Sequence, residues 1–144
     1  MSLETTLLVG VSAAARTLGR EIDRAAGSNA KVLITGESGT GKEVVARLVH
    51  VRGARRKGPL VSVNCVGLPD SLLESELFGH AKGSFTGAYR DRVGLLESAH
   101  RGTAMLDEVG EMSLRMQGLL LRFLETGELQ PVGGAASNPI VDVR

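Results

Sequence analysis

Tryptophan is absent, and four residues (Phe78, Phe85, Tyr89 and Phe123) are the whole aromatic complement. A core built from this sequence must be aliphatic, so an aromatic placed in a polar loop stands out. The single cysteine, Cys65, excludes an internal disulfide and fits a reducing compartment. Lying in an apolar run over 60–66, it reads as a small buried hydrophobe. No stretch approaches the ~18 consecutive apolar residues of a membrane span, and the first residues lack the basic and apolar blocks of a signal peptide. The cytoplasm is therefore the expected location. A net charge of +1 gives no broadly basic surface for nucleic acid. His50, His80 and His100 lack metal-like spacing, so no ligand role is assigned to them.

What is present fits one soluble domain. The 144 residues are 42% hydrophobic and 23% charged, which excludes wholesale disorder. A chain of that length buries roughly two-thirds of its unfolded surface. Ser12 precedes apolar residues at helical spacing (Ala15, Leu18, Ile22, Ala25, Ala26), and Gly27 can stop the helix. Residues 31–35 form a short apolar strand, and a helix over Lys42–Arg52 turns Val44, Val45, Leu48 and Val49 inward. Leu60–Asn64 reads as a second strand, and Asp70 as the cap of a helix through Leu72, Leu73 and Leu77. A third strand over 103–106 leads into Asp107 and Glu108. The helix over 113–126 is expected to bury Leu114, Leu120, Leu121 and Leu124 and to end at Gly127. Residues 128–132 and 139–143 look extended, with Gly133 and Gly134 as a hairpin turn. This alternation predicts an α/β fold, with helices flanking a mostly parallel sheet.

Gly36-Glu37-Ser38-Gly39-Thr40-Gly41-Lys42 fits the phosphate-binding pattern G-x-x-x-x-G-K. Glycines allow successive backbone N–H groups to turn inward around phosphate oxygens. The helix that follows presents its positive end to the same anion, and Lys42 adds a point charge. Glu43 stands where Ser or Thr usually offers a hydroxyl to Mg²⁺, so the metal must rely on phosphate oxygens, water and a carboxylate elsewhere. The adenine is expected near Val9–Val11. Asp107 and Glu108 end an apolar strand, the edge where open α/β sheets bind ligands. Asp107 is suited to hold Mg²⁺, and Glu108 to orient and deprotonate the attacking water. Asn64, closing the neighbouring strand, is either a turn former or a hydrogen-bond partner that could hold Glu108 away from water. Residues 79–94 form a long glycine-containing loop, in which Phe85 is either exposed or a core anchor. The basic run Arg52, Arg55, Arg56 and Lys57 reads as a solvated helix exit rather than a nucleic-acid patch.

Several segments together resemble a known family. They are Gly36 to Glu43, Val63-Asn64-Cys65, Glu74 to His80, Gly83-Ser84-Phe85-Thr86-Gly87-Ala88, Leu106-Asp107-Glu108 and Gly127-Glu128-Leu129. From Leu8 onward the chain is similar to the central AAA+ ATPase domain of bacterial sigma-54-dependent transcription activators. The resemblance implies a P-loop NTPase three-layer sandwich that binds ATP and Mg²⁺, and a homo-hexamer that remodels the sigma-54 RNA polymerase closed complex. It implies that Gly83, Ser84, Phe85, Thr86, Gly87 and Ala88 touch sigma-54, with Ser84 where the family usually has Ala. It also implies that Asn64 pairs with Glu108 in a nucleotide-sensing switch, and that a P-loop ending in Glu43 is normal. Residues 1–144 would then be the N-terminal part of the domain. The sensor, arginine finger, lid and DNA-binding domain would lie beyond them, and this segment alone would be a weak or inactive ATPase. The alternatives are a fragment that binds nucleotide or sigma-54 without turnover, and another AAA+ machine, which the G-S-F-T-G-A loop disfavours.

Overall fold

The computed structural model describes residues 10–134 and 138–144. Helix α1 spans Ala13–Ala26, and the Ser12 hydroxyl accepts the Ala15 N–H at 3.1 Å as its N-cap. Helix α2, Lys42–Arg52, packs on α1 through Ile22, Leu48 and Val49, with Leu18, Val44 and Val45 at the margin. The polar side of this pair is tied by Arg52 to Asp23 at 2.7 Å. Arg55 binds the Asp142 carboxylate at 2.6 Å. The basic run is thus partly consumed in internal pairs.

Strand β1, Leu60–Asn64, pairs in parallel with β4, Thr103–Asp107, in a register that sets Asn64 opposite Asp107. Between them lie α3 (Asp70–Phe78), the two-residue strands β2 (Gly79–His80) and β3 (Arg92–Val93), and α4 (Leu95–Ser98). A 3-10 turn over Val109–Glu111 and helix α5 (Leu114–Thr126) follow β4. Val63, Leu73, Leu77, Phe78, Leu96, Met116, Phe123 and Leu129 form the main core, in which the Phe78 and Phe123 rings meet edge-on at 6.3 Å. No helix among the described residues is long and apolar enough to cross a membrane.

Four expectations are corrected. Asp70 is the first residue of α3 rather than its cap. The Pro69 carbonyl accepts the Leu72 and Leu73 amides, and the Asp70 carboxylate instead accepts the Ser113 hydroxyl. The buried stripe of α5 is Met116, Leu120 and Phe123, whereas Leu114 is 84% and Leu121 56% exposed, and Leu124 43%. Packing against Phe78 selects that stripe from a helix carrying leucine on several faces. Residues 31–35 form no strand and join no ladder among the described residues. The free edge of β4 is occupied instead by residues 142–144, with Ala104 donating to the Arg144 carbonyl and Arg101 to that of Asp142. Lastly, residues 79–94 are not a bare loop, because β2 and β3 pair antiparallel and close its base. Residues 128–132 and 139–143 meet in one antiparallel bridge, Glu128 with Ile140, and a turn closes from Gly134 N–H to the Pro131 carbonyl. Part of the segment joining them lies outside the described residues.

Candidate functional site

The phosphate-binding loop runs from residue 36 into α2. Gly39 and Gly41 have φ of 79° and 89°, where a side chain is strained, and α2 starts at Gly41 without a side-chain cap. The first amides of α2 are therefore left for an anion. The loop closes on itself: Thr40 Oγ1 donates to the Glu37 carbonyl at 2.7 Å, and Lys42 Nζ to the carbonyls of Gly36 and Glu37 at 2.9 and 3.0 Å. A Cβ at position 36 would come within 2.9 Å of Thr40 Oγ1, so a larger residue there would have to displace the Thr40 hydroxyl from its bond to the Glu37 carbonyl. The Glu43 carboxylate is engaged by Arg47 at 2.6 Å, one turn along α2.

Asp107 closes β4, and its carboxylate accepts the Glu108 N–H at 3.0 Å. Glu108 itself adopts φ 53° and ψ 43°, left-handed for a non-glycine residue, and its carbonyl accepts the Glu111 N–H. Asn64 Oδ1 accepts the Val66 N–H at 2.9 Å, a local turn bond. That bond occupies the amide oxygen and leaves the NH₂ as the group suited to an ionised carboxylate. Cys65 follows, donating its N–H to the Asp107 carbonyl at 3.1 Å. Burial first, and then the nearby Asp107 carboxylate, push the Cys65 thiol up to about 11.

A cavity of about 710 Å³ joins these parts, lined by Gly36, Lys42 and Glu43 together with Asp107 and Glu108. Its flanks are the apolar residues 32–34 and 104–106. At its far end Lys31 Nζ donates to the Val143 carbonyl, and burial, then Arg55, lower the lysine's pKa. No group of three or more His, Cys, Asp or Glu gathers to cage a metal among the described residues. With Asp107 lining the same cavity as the phosphate loop, the donor set would suit Mg²⁺ if phosphate oxygens and water supplied most of its ligands. Val11 of the expected adenine region is 88% exposed, and Val9 lies outside the described residues.

Gly83, Ser84, Phe85, Thr86, Gly87 and Ala88 lie together in the loop above β2 and β3 and do not line the cavity. Gly83 donates to the Ala88 carbonyl at 2.8 Å, Ala88 is buried, and Phe85 is 39% exposed. Ser84 Oγ is buried with no hydrogen-bond partner among the described residues, packed where Gly133 leaves room for it. The strand root is pinned by the Val132 carbonyl accepting Ala81 N–H and the Gly79 carbonyl accepting Val132 N–H. Sequence reasoning missed Ser75, His80, Val132 and Gly133 as the loop's supports. The only signal was the Gly-Gly pair at 133–134, which reads equally well as an ordinary turn.

Comparison with known proteins places this geometry in context. A family model described as the sigma-54 interaction domain matches residues 8–144. The chain is 51% identical over 142 residues to the anaerobic nitric oxide reductase transcription regulator NorR of Salmonella paratyphi C, covering 99% of this chain and 28% of that protein. It is similar to NtrX from Brucella abortus in complex with ATP, with TM-score 0.85, 40% identity, and coverage of 96% of this chain and 29% of that one. The ADP complex of NtrX gives a TM-score of 0.86 at 40% identity, over 97% and 30% of the two chains. The P-loop NTPase domain of an E. coli sigma-54 activator shares the fold at 18% identity and TM-score 0.51, over 87% and 80%. The chain thus spans less than a third of the length of the curated relatives it matches, at 28%.

Proposed function

The chain belongs to the sigma-54 interaction domain family, and we propose that it is the ATP-binding and ATP-hydrolysing core of a sigma-54-dependent transcription regulator. One observation carries this reading: a single cavity brings Gly36 and Lys42 of the phosphate loop together with Asp107 and Glu108, which are remote in sequence. The nucleotide-bound NtrX structures support a nucleotide as the occupant.

In this proposal Lys42 leaves the Gly36 and Glu37 carbonyls and turns its charge to the β- and γ-phosphates, while the loop amides take the remaining oxygens. Residues 37–41 shape that cradle, and Glu43, held by Arg47, begins the helix behind it. Mg²⁺ would be held by Asp107, and when bound it neutralises charge developing on the phosphoryl oxygens. Glu108 orients a water in line with the γ-phosphate and accepts its proton, so its carboxylate must stay ionised until attack. Asn64 stands opposite Asp107 in the strand register, and in this proposal its amide donates to Glu108, restraining the base until the switch is thrown. The loop over 83–88 is the contact to sigma-54, with Phe85 and Thr86 at its tip. Hexamer formation and DNA binding through another domain belong to the whole regulator.

Isothermal calorimetry with ATP tests the cradle. Lys42→Ala removes a charge-assisted contact of about 1.5–3 kcal/mol, so affinity should fall by at least about tenfold. A folded Lys42→Ala chain with wild-type affinity would refute the assignment.

A further inference from the structure

Phe85 does not project freely from its loop. Its ring meets the His80 ring edge-on, with centroids 4.9 Å apart and planes at 69°. His80 is fixed from three sides. Its backbone pairs with Arg92 and bridges to Val132, and its Nδ1 is hydrogen-bonded to Ser75 Oγ at 2.6 Å. Ser75 lies on α3 and is 3% exposed, so this bond is sheltered from water and sets the orientation of the imidazole. The loop is jointed where His80 is fixed: Gly83 and Gly87, on either side of Phe85, have φ of 78° and 104°. A rigid aromatic support therefore faces an aromatic held between two glycine hinges.

We infer that the Ser75–His80 pair is a docking platform that holds the partly exposed Phe85 ring against His80, and that Phe85 must leave His80 before it can enter a contact with sigma-54. The inference rests on the proposed reading of the loop and adds its regulation. His80 is a positioning residue, and Ser75 acts through it. An edge-to-face pair shifts the ratio of docked to released Phe85 by about two- to tenfold. A partner that binds only the released state gains affinity by no more than the released fraction rises.

The test labels the three phenylalanines of the 144-residue chain with fluorine and assigns the Phe85 resonance with a Phe85→Leu variant. In His80→Leu the backbone bridges remain available, and the Phe85 resonance should move toward its position in the denatured chain. Ser75→Ala should move it the same way by less. The double variant Ser75→Ala/His80→Phe supplies an aromatic support that needs no hydrogen bond, and should return the resonance toward wild type. Titration with sigma-54 and a transition-state nucleotide analogue should give binding about two- to tenfold tighter for His80→Leu than for wild type. An unmoved Phe85 resonance in both single variants would overturn the platform. A moved resonance with unchanged or weaker sigma-54 affinity would overturn the need for release. Sigma-54 capture that survives Phe85→Ala would instead reject the loop as the contact, while the fluorine spectra still decide the platform.

Discussion

Glu108 combines two demands that conflict. As the proposed base it must carry a carboxylate, yet its backbone sits at φ 53° and ψ 43°. Bonds on both sides pin it there, from its own N–H to Asp107 Oδ1 and from the Glu111 N–H to its carbonyl. An L residue in this region costs about 1–2 kcal/mol, whereas glycine occupies it freely. At an ordinary position glycine is worse than alanine by roughly 0.5–1 kcal/mol, because it loses more freedom on folding. At 108 the order should reverse, with Glu108→Gly more stable than Glu108→Ala by about 0.5–1 kcal/mol. For a chain of this size that is about 1–4 °C in melting temperature. Glu108→Gln keeps the strained backbone and should melt near wild type. Thermal unfolding followed by circular dichroism, with the three variants scanned together, reads the order directly. If alanine equals or exceeds glycine, the position is unstrained, and the idea that stability is given up to seat the carboxylate at this turn is wrong.

In the whole regulator, Glu108→Gln should retain ATP binding while phosphate release falls by roughly 10²–10⁴-fold; turnover within a factor of a few of wild type would remove Glu108 as the base. Gly133→Ala places a methyl against Ser84 at φ 64°, so it should destabilise the loop's support by about 1–2 kcal/mol or more. Limited proteolysis should then cut within residues 81–91 faster than in wild type. Arg55, chiefly through its hydrogen bond, holds the Asp142 carboxyl below its ordinary range. A depressed folded pKa contributes stability above the unfolded value and loses it as pH falls through the folded one. Arg55→Gln should therefore flatten the stability loss below about pH 4, measured by urea unfolding across pH. An unchanged acid limb would show that the pair contributes nothing.

Local chemistry was legible in the sequence, and choices made by distant partners were not. Helix α2 occupies the expected Lys42–Arg52, because a glycine loop, a run of branched aliphatics and Gly53 define its ends locally. Ser12 caps α1 as its position suggests, whereas Ser113, expected as the first residue of its helix, is the N-cap of α5. The buried stripe of α5 was misjudged because leucines sit on several faces, and only contact with Phe78 decides among them. Residues 31–35 have the composition of a strand, but pairing depends on hydrogen-bonding groups far along the chain. The cradle and the acidic pair could each be read from local sequence, and they line one cavity, although residues 31–35 join no ladder among the described residues. The Ser75–His80–Phe85 arrangement could not, since it joins the end of a helix to a loop tip through side chains with no common periodicity.

Cys65 sits one residue beyond Asn64 and bonds through its backbone to the Asp107 carbonyl, so the only thiol of the chain marks the site's edge. Burial covers its sulfur and pushes the thiol up to about 11, so the reactive thiolate is scarce near neutral pH. Alkylation in the native protein must therefore wait for that edge to open and hydrate the sulfur. The rate of labelling becomes a clock for local opening beside Asp107, read by mass spectrometry without any introduced probe. A ligand that ties the two strand ends together should slow the clock, and one that pries them apart should quicken it.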